Sequence, residues 1–243
     1  NLQFNENIVR EALAKQLNKN PEDIYSNDYT NANELNLRQS KITNLKPLEK
    51  LINLQSLNLN YIQPTSLKSL AKLTKLQELN IQGLGALYEE KSKLNIVLEK
   101  LHLINSSRKK IIDVSPIKNL TNLRYLGLSE SNVKSLKPLE SLTNLKELHL
   151  MNINFLNGFV CDITPLASLT KLEQLNLTMV QTSDITALSN LTQLRTLLLI
   201  SNEKLDDIRS LSNLTNLRWL DIGFTQIDNI DSLKQSLSKQ KEL

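Results

Sequence analysis

The sequence predicts an α/β solenoid. It should be a curved, right-handed stack of short coils with a parallel sheet of about nine short strands on its concave side. Short helices or 3-10 turns should line the convex side, and a helical cap should cover the N-terminus. Three observations predict this. A frame L-x-x-L-x-x-L-x-L recurs along most of the 243 residues. Each copy ends in two apolar residues two positions apart, the period of a strand with one buried side. Prolines stand at a constant offset before several copies, where fixed φ suits the start of a helical turn.

The elements follow in order along the chain. Residues 4–17 read as an amphipathic helix with Phe4, Ile8, Ala12 and Leu13 on one face and Asn5 as a candidate N-cap. A partial copy of the frame surrounds Leu35 and Leu37. Complete copies start at Leu51, Leu73, Leu120, Leu142, Leu169, Leu191 and Leu214, with a degenerate one near Asn95, at spacings of 22, 22, 25, 22, 27, 22 and 23 residues. Nine strand cores result: Leu35/Leu37, Leu57/Leu59, Leu79/Ile81, Leu101/Leu103, Leu126/Leu128, Leu148/Leu150, Leu175/Leu177, Leu197/Leu199 and Leu220/Ile222. One unit cannot bury its own leucines, but stacked units bury them as a continuous column. Ile42/Leu45/Leu48, Val133/Leu136/Leu139 and Ile163/Leu166 complete the inside of each coil, and Pro47, Pro116, Pro138 and Pro165 place the outer turns. Residues 232–239 read as a final polar helix closing the stack. The expected division is a helical cap over 1–30, the stack over 31–237 and a tail over 238–243.

These residues carry a family resemblance. Asp113-Val114-Ser115-Pro116-Ile117 and Asp162-Ile163-Thr164-Pro165-Leu166 resemble the D-I-x-P-L segment of the bacterial leucine-rich repeat class with 22-residue repeats, typified by internalins. Leu120-Thr121-Asn122-Leu123 and its relatives at Leu142 and Leu214 resemble that class's L-T-N-L. The resemblance covers residues 29 to about 237 and implies a leucine-rich repeat solenoid with an N-terminal helical cap. It also implies a secreted or cell-surface bacterial protein that binds another protein, a host protein included.

The chain departs from the family pattern in three places. The consensus Asn after the strand, whose amide bonds neighbouring coils, is replaced in most copies: the column reads Ser40, Ile62, Leu84, Ser106, Ser131, Ile153, Val180, Asn202 and Thr225. Backbone groups at those bends need other partners or water, because leaving them buried and unpaired is costly. The copy that opens at Leu73 loses its proline segment, and Gly83 to Lys91 suggest a bend followed by a short helix. Extra residues near 106–110 and 154–160 map to loops on one rim, often near a binding face.

Residues flanking the strand leucines point out of the concave sheet. In the first copies they are polar and rich in Asn: Asn36, Asn58 and Asn80. Toward the C-terminus large apolar groups take over, and the candidate partner-binding residues are Tyr125, Glu147, His149, Met151, Gln174, Leu198, Ile200, Trp219, Asp221 and Phe224, with Met179 beside them. Exposed Trp, Tyr and Met in one patch are the composition of a protein-binding hot spot. Nine strands about 4.8 Å apart span on the order of 40 Å, which suits a folded protein better than a small ligand.

Other chemistries find little material. One cysteine excludes an internal disulfide framework and a multi-thiolate metal site. Cys161 reads as a buried small hydrophobe. His102 and His149 fall in one column two strands apart, roughly 10 Å, too far to share a metal. Gly83-x-Gly85 lacks the Lys and third Gly of a phosphate loop. The Asn-Leu-Thr triplets are repeat grammar. No apolar run is long enough to span a membrane. The net charge is +4, and the densest basic tract, Arg108 to Lys110, is interleaved upstream with Glu89, Glu90 and Glu99, so no one-sign stripe for nucleic acid forms. The expected function is therefore a non-catalytic interaction domain, monomeric, without metal, cofactor or membrane insertion. Two alternatives stay open: an intracellular regulatory subunit, since eukaryotic phosphatase regulators share the 22-residue repeat, and the targeting domain of a larger effector enzyme.

Overall fold

The computed structural model describes residues 2–83, 111–153 and 161–238. In it the repeated frame forms one parallel eight-stranded sheet, ordered along the chain. The strands are β1 (Glu34–Asn36), β2 (Ser56–Asn58), β3 (Glu78–Asn80), β4 (Tyr125–Gly127), β5 (Glu147–His149), β6 (Gln174–Asn176), β7 (Thr196–Leu198) and β8 (Trp219–Asp221). Their register sets leucine on leucine, from Leu35 through Leu57, Leu79, Leu126, Leu148, Leu175 and Leu197 to Leu220. The leucine-rich repeat solenoid is thus observed.

β3 pairs directly with β4, Leu79 opposite Leu126, and the strand expected on Leu101/Leu103 is not among the eight described. Those two residues, with His102, the Gly83–Lys91 segment beyond Gly83 and both insertions, lie outside the described residues. The signal for that strand was the weakest of the nine. Its frame opens with Asn95, at a column position where Leu51, Leu73, Leu120, Leu142, Leu169 and Leu191 are all fully buried. An amide there would lose its water without a partner.

The core is a set of parallel aliphatic columns. Burying each leucine stabilises the fold by roughly 2 kcal/mol relative to exposure. The columns stay closed until the last coil, where Leu220 and Ile222 become half-exposed for lack of a following coil. Helix α3 (Asp231–Ser238) covers part of that end and buries Leu233.

At the other end, α1 (Leu2–Leu17) and the short α2 (Ser26–Asn31) close the first coil. The buried face of α1 is Asn5, Val9, Leu13 and Ala14, so Phe4 points outward, correcting the expected face by about one position. Asn5 is not an N-cap but a buried staple. Its Oδ1 accepts the backbone N–H groups of Thr43 (2.8 Å) and Asn44 (3.1 Å), joining the cap to the first bend.

Convex 3-10 turns follow the prolines: Lys46–Lys50, Ser115–Asn119, Lys137–Ser141 and Thr164–Ser168 each carry Pro at the second position. Each is capped two residues upstream by a side-chain oxygen, from Asn44, Asp113, Ser135 and Asp162 in turn; Asp184 and Asp207 do the same for later turns. These bonds satisfy donors that a helix start leaves open. They also hold the carboxyls of Asp113, Asp162 and Asp184 below the ordinary range. Hydrogen bonds from Ser115, Thr164 and Thr186, side chain first and backbone N–H second, do this. The Arg209 guanidinium and backbone N–H bring Asp207 to about 2.

The bends resolve the missing Asn column by other means. One residue per coil, four after the first strand leucine, adopts positive φ: Gln39, Tyr61, Gly83, Glu130, Asn152, Met179, Ser201 and Phe224. A non-glycine residue there costs on the order of 1 kcal/mol. From Gln39 to Ser201 each donates its backbone N–H to the next coil, as Glu130 does to Met151 O at 2.8 Å, which extends the ladder past the strand. Gly83 alone needs its missing side chain, since a Cβ there would lie 2.4 Å from the Tyr61 ring. In the consensus column itself, Ile62, Ile153 and Val180 are simply buried with the core, while Ser131 and Asn202 bond backbone carbonyls. On the opposite rim the Asn of L-T-N-L bridges coils: Asn122 Nδ2 donates to Thr74 O (2.8 Å) and Asn144 Nδ2 to Thr121 O (2.9 Å).

Candidate docking surface

Alternation along three-residue strands puts one row of side chains just before the central leucine, a second just after it, and a third two residues further on, all on the concave face. The first row runs Glu34, Ser56, Glu78, Tyr125, Glu147, Gln174, Thr196 and Trp219; the second runs Asn36, Asn58, Asn80, Gly127, His149, Asn176, Leu198 and Asp221. Met151, Thr178, Ile200 and Gly223 continue the third row.

The two halves of this surface differ in kind. The N-terminal half is a polar hollow lined by Lys15, Gln16, Asn36, Arg38, Asn58 and Asn80. Asn36 and Asn58 fold back so that Oδ1 accepts the backbone N–H two residues on, each at 3.0 Å, which fixes the orientation of the amide. The Arg38 guanidinium stands 5.4 Å from the Tyr61 ring centre.

The C-terminal half carries the large apolar groups, Tyr125 and Met151 on one side and Leu198, Ile200 and Trp219 on the other, with the polar β6 residues Gln174, Asn176 and Thr178 between them. Trp219 is 63% and Phe224 82% exposed, so neither folds inward under the terminal helix. Leu198, Ile200, Met151 and Met179 are half-exposed between them and Tyr125. The register brings the predicted residues together: Leu198 lies beside Asp221, Thr196 beside Trp219, and Glu147 between Tyr125 and Gln174. Phe224 is set apart from the floor, on the rim of positive-φ residues.

Polar groups within this half are mostly satisfied locally. His149 Nε2 meets Glu147 Oε1 at 2.7 Å, and the His149 ring tilts against Tyr125 at 5.5 Å between centres. Burial, with the charges of Glu147 and Glu78, pushes the Tyr125 phenol up, so it stays a neutral donor. Asp221 Oδ1 accepts the Gly223 N–H at 3.0 Å. Gly127 makes room at the centre: a Cβ there would sit 2.6 Å from Asn80 Oδ1 and 3.1 Å from the Tyr125 hydroxyl, so these side chains lean over it.

Cys161 is buried, and burial with the Asp162 charge pushes its thiol up to about 12, which leaves no thiolate at neutral pH. Among the described residues no group of three or more His, Cys, Asp or Glu side chains could hold a metal ion. No helix among them is long and apolar enough to cross a membrane. The sequence reading missed one set of surface residues, the charged row immediately before the strands, because charges at loop positions normally signal only solvation.

Comparison with known proteins places this architecture. No protein-family model matches the chain, and no curated protein matches it. Among solved structures it is similar to an internalin (inlF) of Listeria monocytogenes, with TM-score 0.53 and 29% identity over 94% of this chain and 72% of the other. A second internalin of that organism (inlC2) gives TM-score 0.59 and 27% identity over 88% and 92%. The plant peptide hormone receptor RGFR1, solved in complex with RGF2, shares the fold at TM-score 0.58 and 19% identity, over 79% of this chain and 28% of that one.

Proposed function

We propose that this chain, a leucine-rich repeat solenoid of the internalin type, is a non-catalytic protein-binding domain of a bacterial secreted or surface protein. It captures a protein partner, a host protein included, on the C-terminal half of its concave face. The observation that carries this reading is the exposure of Trp219 near half-exposed Leu198 and Ile200, with Met151 and Tyr125 on the same face and exposed Phe224 on its rim. Exposed aromatics and Met in one patch have the composition of a binding hot spot, and their exposure contributes nothing to folding. Glu147, His149, Gln174 and Asp221 stand among these apolar groups and would orient the partner, because charge complementarity favours register over raw affinity.

The test is capture from host-cell or culture extract on immobilised chain, with the triple variant Tyr125→Ala, Met151→Ala, Trp219→Ala as control. The wild type should retain a protein that the variant loses, while both melt at nearly the same temperature. Equal capture by both would remove the patch from the interface.

A further inference from the structure

We propose that the apolar half of the concave face accepts an amphipathic protein segment whose polar side is acidic, and that a row of cations at the starts of β4–β8 reads that acidity. This rests on the reading that the concave face binds a protein, and adds the partner's charge and the edge that senses it. The residue just before each strand is uncharged in the first three coils: Asn33, Gln55 and Gln77. From β4 onward the same row reads Arg124, Lys146, Glu173, Arg195 and Arg218, exposed except for half-buried Glu173. The large concave apolar groups, Tyr125, Met151, Leu198, Ile200 and Trp219, stand on these same coils. A row that is uncharged through β3 and carries four cations from β4 onward, on the same coils as the large apolar groups, is the observation behind the proposal.

The row is held rigidly. Arg124 O accepts the N–H groups of Lys146 (2.8 Å) and Glu147 (3.0 Å), and Arg195 O accepts those of Arg218 (2.8 Å) and Trp219 (2.9 Å). The backbone positions that carry the cations therefore lie near strand spacing, about 4.8 Å per coil, along one edge of the sheet. Glu173 is committed to its neighbours, 2.9 Å from Lys146 Nζ and 4.0 Å from Arg195 Nε, which hold its carboxyl below the ordinary range. Arg124 and Arg218 have no carboxylate within ion-pair distance among the described residues. Glu147 and Asp221 keep their negative charge on the strands, where His149 and the Gly223 N–H hold them, while the four cations Arg124, Lys146, Arg195 and Arg218 outnumber Glu173 along the edge, so that edge is the cationic part of this half. An acidic strip beside an apolar strip complements that edge, and a basic one meets repulsion.

The probes are two synthetic amphipathic peptides with the same apolar face, one with Glu and one with Lys at its polar positions, each titrated into the whole chain. Trp219 is the single tryptophan, so its emission reports the floor directly. The Glu peptide should shift that emission to the blue and bind more weakly as salt rises. The double variant Arg124→Glu, Arg218→Glu should weaken it about tenfold, the scale expected for two exposed ion pairs turned repulsive. Arg38→Glu in the first coil should leave its affinity unchanged. Equal binding of both peptides, or an unaffected double variant, overturns the charge reading while leaving the concave site standing. If neither peptide moves Trp219 emission, the segment proposal falls, and the capture experiment with the triple alanine variant decides the concave site separately.

Discussion

Replacing Asn202 should cost more stability than any other single polar change in the stack. Its side chain is fully buried, and its Nδ2 donates to Leu177 O (2.9 Å) and Leu199 O (2.7 Å) while its Oδ1 accepts the Thr182 N–H at 3.1 Å. Asn202→Ala withdraws all three bonds at once. A buried group left unpaired costs ~1–3 kcal/mol, so with partial relaxation the variant should lose about 3 kcal/mol. Ser131 occupies the equivalent place three coils earlier and reaches the equivalent carbonyl, Ile81 O at 3.2 Å, with a hydroxyl alone. Asn202→Ser should therefore recover part of the loss and cost about 1 kcal/mol. Urea titration followed by far-ultraviolet circular dichroism gives both numbers. The reasoning fails if the alanine variant stays within ~0.5 kcal/mol of wild type, the range of unremarkable surface changes, or if serine is worse than alanine.

Three other outcomes follow from the same geometry. Leu148→Ala, fully buried in the middle of the stack, should cost about 3–4 kcal/mol, whereas Leu220→Ala in the same column should cost well under half of that because its site is already partly open; equal losses in urea titrations would contradict the stacked-column account. Asp113, Asp162, Asp184 and Asp207 have carboxyl pKa values lowered by folding, so their contribution is present above the unfolded value of about 3.9 and disappears as pH falls through the folded values, about 2 for Asp207. Melting temperature should be level above about pH 5 and fall between about pH 4 and 2; a melting temperature that rises on acidification would contradict the capping role. Cys161, buried with its thiol pushed up to about 12, should resist alkylation at pH 8 in the native chain and react on unfolding, and rapid native labelling would refute its placement.

Most of the fold was legible because its determinants are local and periodic. The two-residue spacing of Leu57 and Leu59 declares a strand with one buried side, and identical spacing in every coil then dictates an in-register parallel ladder. Pro116 and Pro138 marked the outer turns for the same local reason. The concave positions of Trp219 and Leu198 followed from alternation, and so did the grouping of the candidate site. What was hidden depends on contacts distant in sequence. Asn5 looked like an N-cap, yet it bonds Thr43 and Asn44, which no window around residue 5 contains. The row of positive-φ residues includes Gln39, Glu130 and Phe224, types that carry no signature of that backbone shape; ladder bonds to the next coil impose it. The copy near Asn95 has a degenerate frame, and across it the described sheet sets Leu79 opposite Leu126.

Binding of a captured protein on the concave face should cover Trp219. Its indole is 63% exposed in the free chain and is the only one present. Acrylamide quenching of its fluorescence, measured before and after saturation with a captured partner whose own tryptophans are replaced by phenylalanine, should drop several-fold as the ring is covered. Quenching that stays at the free-chain level while the partner is fully bound would place the interface elsewhere on the solenoid.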